Sequence, residues 1–179
     1  MSGPVEFALF DTPIGRCAIA WAGDTIEGTL LPEPRVADTR QRMRDRFDGP
    51  AGEAVEGTPP PAIQDAIDRM VASLRGEADD LADVPLDLDA IPPFPRKVFE
   101  VVRTIPAGET LSYGEVAAAV GSPGAARAVG QALGRNPFPV VIPCHRVLAA
   151  GGRIGGFTAP GGLSVKAKML AAEGVTPRP

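Results

Sequence analysis

The 179-residue sequence holds one histidine, one tyrosine, one tryptophan and two cysteines. Two cysteines cannot build a disulfide framework, and Cys17 and Cys144 are expected as free thiols. Together with His145 they make three Cys or His residues, two of them adjacent, so a conventional four-ligand zinc site is excluded by counting. No run approaches the about 18 uninterrupted apolar residues that a membrane helix needs. Met1 to Glu6 shows no basic stretch leading into an apolar one, so no signal peptide is expected and the location is expected to be cytoplasmic.

Lysine is missing from residues 1–90, which carry 8 Arg against 18 Asp and Glu, a net charge of −10. Residues 91–179 carry 10 Lys and Arg against 4 Glu, a net charge of +6. The overall −4 therefore hides a polar division. One half is suited to meet a polyanion and the other is not, although drift in surface charge gives the same numbers. An acidic half weakens long-range attraction to nucleic acid, so tight binding would have to come from local geometry.

The charge break falls in a proline-rich, acidic stretch, residues 76–96, that favours extended or turning backbone. A boundary is placed near residue 90, dividing the chain into domains 1–90 and 91–179. In the first, Val5–Phe10 and Arg16–Ala22 read as strands joined by a turn at 11–15, and residues 25–31 as a third strand. Residues 48–61 read as a surface loop. Ile63, Ala66, Ile67, Met70, Val71 and Leu74 recur at helical spacing before a stop at Gly76. Cys17 sits among apolar neighbours and is expected to be buried and inert. This half reads as a small α/β domain without visible chemistry.

The second half reads as mostly helical. Val98, Val101, Val102 and Ile105 predict a helix over 97–105. Ser112 followed by Glu115 is a capping-box pattern opening a helix from Tyr113 to Val120. Ser122-Pro123 is read as the start of the next helix, running to Leu133 and stopping at Gly134. Two short helices around a Gly-containing turn form a helix-turn-helix pattern. In the second of them Gly124, Ala125, Ala126, Ala128, Gly130 and Ala132 leave a smooth face from which Arg127 projects. Small residues allow close approach to a groove, and one long cation then reaches bases or phosphates. A tightly packed internal helix has the same composition.

Residues 140–148 place an apolar approach, Cys144 and the one histidine side by side. Cysteine nucleophiles act as thiolates, and a free thiol with a pKa of about 8.5 is mostly protonated at neutral pH. A base within reach, or a basic environment such as Arg146, raises the thiolate fraction. A buried structural cysteine beside a satisfied histidine is the bland alternative for this pair.

Pro143-Cys144-His145-Arg146-Val147 resembles the signature of the O6-alkylguanine-DNA alkyltransferases, the methylated-DNA–protein-cysteine methyltransferases. Residues 104–121, Arg127-Ala128-Val129-Gly130, Asn136-Pro137, Gly161-Gly162-Leu163 and the helix expected over Lys166 to Gly174 resemble the same family in order and spacing. The likeness is strong over residues 94–174 and extends to the N-terminal half only in general plan. It implies an α+β protein: a small α/β domain of ribonuclease H-like plan, then a winged helix-turn-helix domain carrying the active site.

The resemblance also implies roles. Cys144 would accept the alkyl group, with His145 acting on it through a water as base and Glu173, in the last helix, orienting His145. Tyr113 would donate a hydrogen bond to the guanine ring as it leaves. Asn136 would hold the turn that presents the cysteine. Arg127 would replace the extruded base in the stack, with Ala126, Gly130, Ser112 and Arg135 also against DNA. The Val147 carbonyl would recognise the guanine amino group, and Phe157 and Thr158 would line the alkyl pocket. The implied reaction is stoichiometric, irreversible transfer from O6-alkylguanine, and from O4-alkylthymine, in double-stranded DNA with the nucleotide turned out. It needs no cofactor and no metal. The chain is expected to be a monomer in solution, with cooperative loading on DNA left open.

The sequence departs from the family in two places. The N-terminal zinc site of some members cannot form, and the loop at 155–162 is longer than in several relatives, with Phe157 where tyrosine is common. Three other readings compete. A non-catalytic relative that binds alkylated bases would lack the acceptor cysteine. A helix-turn-helix regulator would leave the Cys-His pair and Glu173 without purpose. A cysteine hydrolase would need a base better placed than the adjacent residue.

Overall fold

The computed structural model describes residues 3–50, 52–155 and 161–178. The chain opens with a meander of β1 (Glu6–Thr12), β2 (Gly15–Ala22) and β3 (Thr25–Leu30), followed by α1 (Val36–Phe47). A short β4 (Val55–Glu56) precedes α2 (Pro61–Leu74). Beyond the proline-rich stretch come α3 (Pro93–Val102), β5 (Leu111–Ser112), α4 (Tyr113–Ala119) and α5 (Ala126–Gly134). A 3-10 turn at Cys144–Arg146, β6 (Val147–Leu148), a second 3-10 turn at Ala150–Gly152 and α6 (Gly162–Ala172) complete the order. The architecture is α+β.

The first sheet runs β3-β2-β1-β4, antiparallel except for the parallel β1–β4 pair. Alternation on the central strand explains its two covered faces. Cys17, Ile19 and Trp21 face a large core shared with α2 and the C-terminal half, whereas Ala18 and Ala20 face a smaller one with Phe7, Leu30 and Met43 of α1. The large core is continuous across residue 90: Ile63, Met70, Phe99, Val129, Val141 and Met169 all belong to it. Cys17 is fully buried, and desolvation pushes its thiol up to about 12, leaving it inert.

The strand and α2 expectations hold to within two residues. Gly76 ends α2 with φ +91°, its N–H and that of Glu77 closing on Ser73 and Ala72, a Schellman end. Other boundaries move. The helix expected over 97–105 starts four residues earlier, because Pro93 and Pro95 occupy a first turn whose N–H groups have no helical partner to lose. α1 lies where no helix was expected. Its only buried residues are Thr39 and Met43, too narrow a stripe to register as periodicity. The helix after Ser122-Pro123 begins at Ala126 instead. Ser122 donates its N–H to Ala117 at the end of α4 and accepts from Ala125, so 122–125 is a turn and the helix starts after Gly124. The capping box is as expected: Ser112 Oγ accepts from Glu115 N at 3.0 Å and Glu115 accepts from Ser112 N at 2.7 Å.

The proline-rich stretch is pinned to its surroundings. Ile26 of β3 donates its N–H to Pro85 O and accepts from Asp87 N, and Arg103, capping α3, donates to the carbonyls of Leu81 and Val84. Here Glu27 faces Asp87 and Asp89. Burial, then the charge and hydrogen bond of Asp87, raise its pKa to about 7. A raised carboxyl contributes stability that is complete below its unfolded value, near 4.5, and is lost as pH rises through about 7. The Glu27→Gln variant should therefore melt about 2 °C above the parent at pH 8.5 and no higher than it at pH 5. Scanning calorimetry at the two pH values checks this, and an equal difference at both would contradict it.

Candidate active site

Asn136-Pro137-Phe138-Pro139 turns the chain into the approach to Cys144. The two prolines supply carbonyls but no N–H, so the turn depends on donors from elsewhere. Asn136 clamps it locally: Nδ2 donates to Ile142 O at 2.9 Å and Oδ1 accepts from Phe138 N at 2.9 Å. Val140 sits at φ +77°, a left-handed conformation costly for a β-branched residue, so the surrounding bonds must hold it there. Cys144 follows at the start of the 3-10 turn and is 7% exposed. Burial raises its thiol pKa. A hydrogen bond with Asn136, the positive charge of Lys166 and the N–H groups of Cys144 and His145 act in the opposite direction. The resting sulfur is therefore a thiol in a setting prepared for an anion.

Beside it lies a buried polar network. His145 Nε2 and Glu173 Oε1 are 2.9 Å apart, with side chains 3% and 4% exposed. Arg146 donates Nε and Nη2 to the same carboxylate, the shortest at 2.7 Å, and Nη1 to Ile105 O at 2.7 Å. Burial opposes the charge on Glu173, but hydrogen bonds from His145 and Arg146 outweigh it and hold the carboxyl at about 2. Burial also lowers the His145 pKa, so the ring is neutral. A carboxylate only accepts, so the ring proton is on Nε2 and Nδ1 is the bare, basic nitrogen. Among the described residues Nδ1 finds no hydrogen-bond partner.

Two expectations change here. Arg146 is not part of the thiol's basic surroundings, since its guanidinium is committed to Glu173 and Ile105; the cation beside the sulfur is Lys166. Glu173 is not inside the last helix but caps it. α6 spans Gly162–Ala172, with Gly174 at φ +78° and the Gly174 and Val175 N–H groups closing on Ala171 and Leu170. That Schellman end fixes where the carboxylate points.

Lys166 was not singled out by sequence. It is 1% exposed, and its Nζ donates to Val147 O at 2.8 Å and to the Tyr113 hydroxyl at 3.5 Å. The signal was present: with Met169 and Leu170 it occupies the i, i+3, i+4 positions of the buried stripe, where a lysine is out of place. Parallel pairing of β5 with β6 matches Leu111 with Val147 and Ser112 with Leu148, which lays the strand that leads into Tyr113, the first residue of α4, along β6. The Tyr113 ring packs on Gly155, where a Cβ would come within 2.7 Å of it.

Helices α4 and α5 pack on α3 and against each other. On α5 Val129, Ala132 and Leu133 are buried, whereas Arg127 is exposed and Gly130 lies under the Tyr113 ring. Ala126 and Ser112 are half-buried at the two helix starts, and Arg135 is exposed at the end of α5. Cys144, His145, Glu173, Asn136, Tyr113 and Val147 thus meet in one place, with the helix pair alongside. Phe157 and Thr158 lie outside the described residues. Among the described residues no group of three or more His, Cys, Asp and Glu is placed to hold a metal ion, and no helix is long and apolar enough to cross a membrane.

Residues 93–175 match the family model described as "6-O-methylguanine DNA methyltransferase, DNA binding domain". A methylated-DNA–protein-cysteine methyltransferase of Mycolicibacterium paratuberculosis is 38% identical over 94% of this chain and 92% of its own. Its namesake from Methanothermobacter thermautotrophicus is 42% identical over 92% of this chain and 82% of its own. Among solved structures, the Mycobacterium tuberculosis OGT in complex with DNA superimposes with a TM-score of 0.74 at 35% identity, over 94% of this chain and 92% of that one. The sequence likeness along nearly the whole length, together with the shared fold, leaves one conclusion: the chain belongs to the methylated-DNA–protein-cysteine methyltransferase family.

Proposed function

We propose that this protein repairs O6-alkylguanine in double-stranded DNA by direct reversal, moving the alkyl group to Cys144 in one irreversible turnover. The observation that carries the reading is the buried His145–Glu173 pair, 2.9 Å apart, adjoining a cysteine prepared for a negative charge. In the reaction the Cys144 proton passes through a water to His145 Nδ1. Sulfur attacks the alkyl carbon, and the bond from that carbon to O6 breaks with its electron pair returning to guanine. The resulting thioether has no easy hydrolytic return, so each molecule acts once. Glu173 holds the ring in the correct tautomer and stabilises the imidazolium that forms.

Tyr113 donates to the guanine ring as charge builds on it, and Lys166 donates to the Tyr113 oxygen, polarising that hydroxyl as a donor. The Val147 carbonyl has two lone pairs; Lys166 takes one and the guanine amino group takes the other. A stacked guanine is out of reach of a sulfur at this depth, so the nucleotide turns out of the duplex, at a cost of a few kcal/mol. Exposed Arg127 on the small-residue helix α5 fills the gap, and Ala126, Gly130, Ser112 and Arg135 border the DNA. Phe157 and Thr158 line the alkyl pocket, and O4-alkylthymine is a second substrate. In this reading residues 91–179 form a winged helix-turn-helix domain, and residues 1–90 form a supporting domain of ribonuclease H-like plan. The protein acts as a monomer without cofactor.

Incubation with duplex DNA containing O6-methylguanine should add one methyl group to Cys144 by peptide mass spectrometry. Cys144→Ala should bind the duplex and repair nothing, and transfer persisting in that variant would sink the assignment. Arg127→Ala should slow repair in duplex DNA about tenfold and leave reaction with a free O6-alkylguanine base unchanged, since only the duplex reaction needs the nucleotide held out. Equal losses in both assays would contradict the base-extrusion role. Glu173→Gln should slow transfer about a hundredfold and cost about 3–5 kcal/mol of stability, because it leaves the buried Arg146 without its anion. Single-turnover rates and denaturant titration read the two effects. With His145 kept neutral by burial, the acid limb of the transfer rate should fall below pH about 6.5, and a limb at higher pH would refute the base assignment.

A further inference from the structure

The proline turn before the active cysteine is held from the other half of the chain. Thr29 of β3, 1% exposed, donates its N–H to Pro137 O at 3.0 Å and its hydroxyl to Pro139 O at 2.8 Å. Arg46, in the last turn of α1, reaches across β3: Nη1 donates to Thr29 O at 3.2 Å and Nη2 to Pro137 O at 3.0 Å. Its guanidinium lies 4.9 Å from the centre of the Phe47 ring, which steadies a side chain that is otherwise at the surface. The path exists because residue 28 is glycine. A Cβ there would stand 2.5 Å from Arg46 Nη2 and 2.8 Å from the Phe47 ring.

We propose that Arg46 and Thr29 are positioning residues for alkyl transfer: they hold the 136–139 turn, and through the Asn136 side chain they place the Cys144 sulfur. The two prolines cannot anchor the turn through N–H groups, and Val140 in its left-handed conformation pulls against it. Without the donors of β3 and α1, Asn136 loses the fixed backbone from which it reaches both Ile142 O and the sulfur. A planar fork bonding two carbonyls is a task for arginine; a single ammonium does not span both. The inference rests on Cys144 being the alkyl acceptor, but its sharpest test does not.

That test is the pH profile of Cys144 carbamidomethylation by iodoacetamide, followed by peptide mass spectrometry in the intact protein. Arg46→Ala and Gly28→Ala should move the midpoint upward by about half a pH unit or more, because the hydrogen bond that favours the thiolate is loosened. The same variants should lower the single-turnover rate on a free O6-alkylguanine base about tenfold, with affinity for undamaged duplex changed less than twofold. Arg46→Lys, which keeps the charge and the fold, should recover less than half of the lost rate. Arg44→Ala, a neighbouring arginine on the same helix, should match the parent in every assay. An unchanged thiol profile in Arg46→Lys and Gly28→Ala would overturn the proposal, as would a rate loss that simply follows duplex affinity, which would mark Arg46 as a phosphate contact. If the parent transfers no alkyl group at all, the functional reading fails while the thiol profile still decides the positioning role.

Discussion

One buried carboxylate organises the C-terminal half of this molecule. Glu173 accepts from His145 and from two nitrogens of Arg146, and Arg146 in turn ties the cluster to the turn after α3 through Ile105 O. Each partner makes the next affordable. A carboxylate at this depth would be neutralised without the guanidinium, and a guanidinium at 1% exposure would be intolerable without the carboxylate. The neutral imidazole then has one tautomer open to it, with the basic nitrogen on the side away from Glu173. Protonation state, ring orientation and the docking of α6 on the 3-10 turn thus follow from the same set of hydrogen bonds.

The remaining cation, Lys166, serves a different purpose. It bonds the Val147 carbonyl and the Tyr113 hydroxyl, groups delivered by β6 and α4, and its charge favours the anionic form of Cys144. Arg146 and Lys166 are therefore divided between the histidine side and the tyrosine side of Cys144. The short β5–β6 pairing is what makes the division possible, because it lays the strand that leads into α4 against the residue that follows the 3-10 turn. Helices α4 and α5 then continue from this junction toward the face where Arg127 is exposed.

The N-terminal half contributes none of these groups, yet it is not a separate body in packing terms. Its sheet buries Ile19 and Trp21 in the same core as Val98 and Val141, and β3 and α1 supply the donors that the proline turn lacks. Gly76 shows the same interlocking at the far side: a Cβ there would meet Ala172 O at 2.4 Å, so the end of α2 abuts the end of α6 just before Glu173.

Local physics made much of this readable in advance. The capping box at Ser112 and Glu115, the apolar stripe and glycine stop of α2, and the strand read over Arg16–Ala22 are short-range patterns, and they stand where the sequence puts them. The neighbourhood of Cys144 and His145, the charge division near residue 90 and the likeness to the alkyltransferases were also plain in the sequence. What stayed hidden was set by contacts between distant residues. The start of α5 depends on Ser122 bonding back to α4, α1 is held by docking on the sheet more than by its own weak periodicity, and Arg146 faces Glu173 only because α6 ends there. Arg46 looks like an ordinary surface cation in the sequence, and for Lys166 only its place in the stripe with Met169 and Leu170 hints otherwise, because burial and hydrogen-bond partners are properties of packing. Sequence alone determined which chemical groups are available and the local elements that carry them. The tertiary structure decided which of those groups are desolvated and whom they face, since dielectric surroundings and distance arise only when the chain closes on itself.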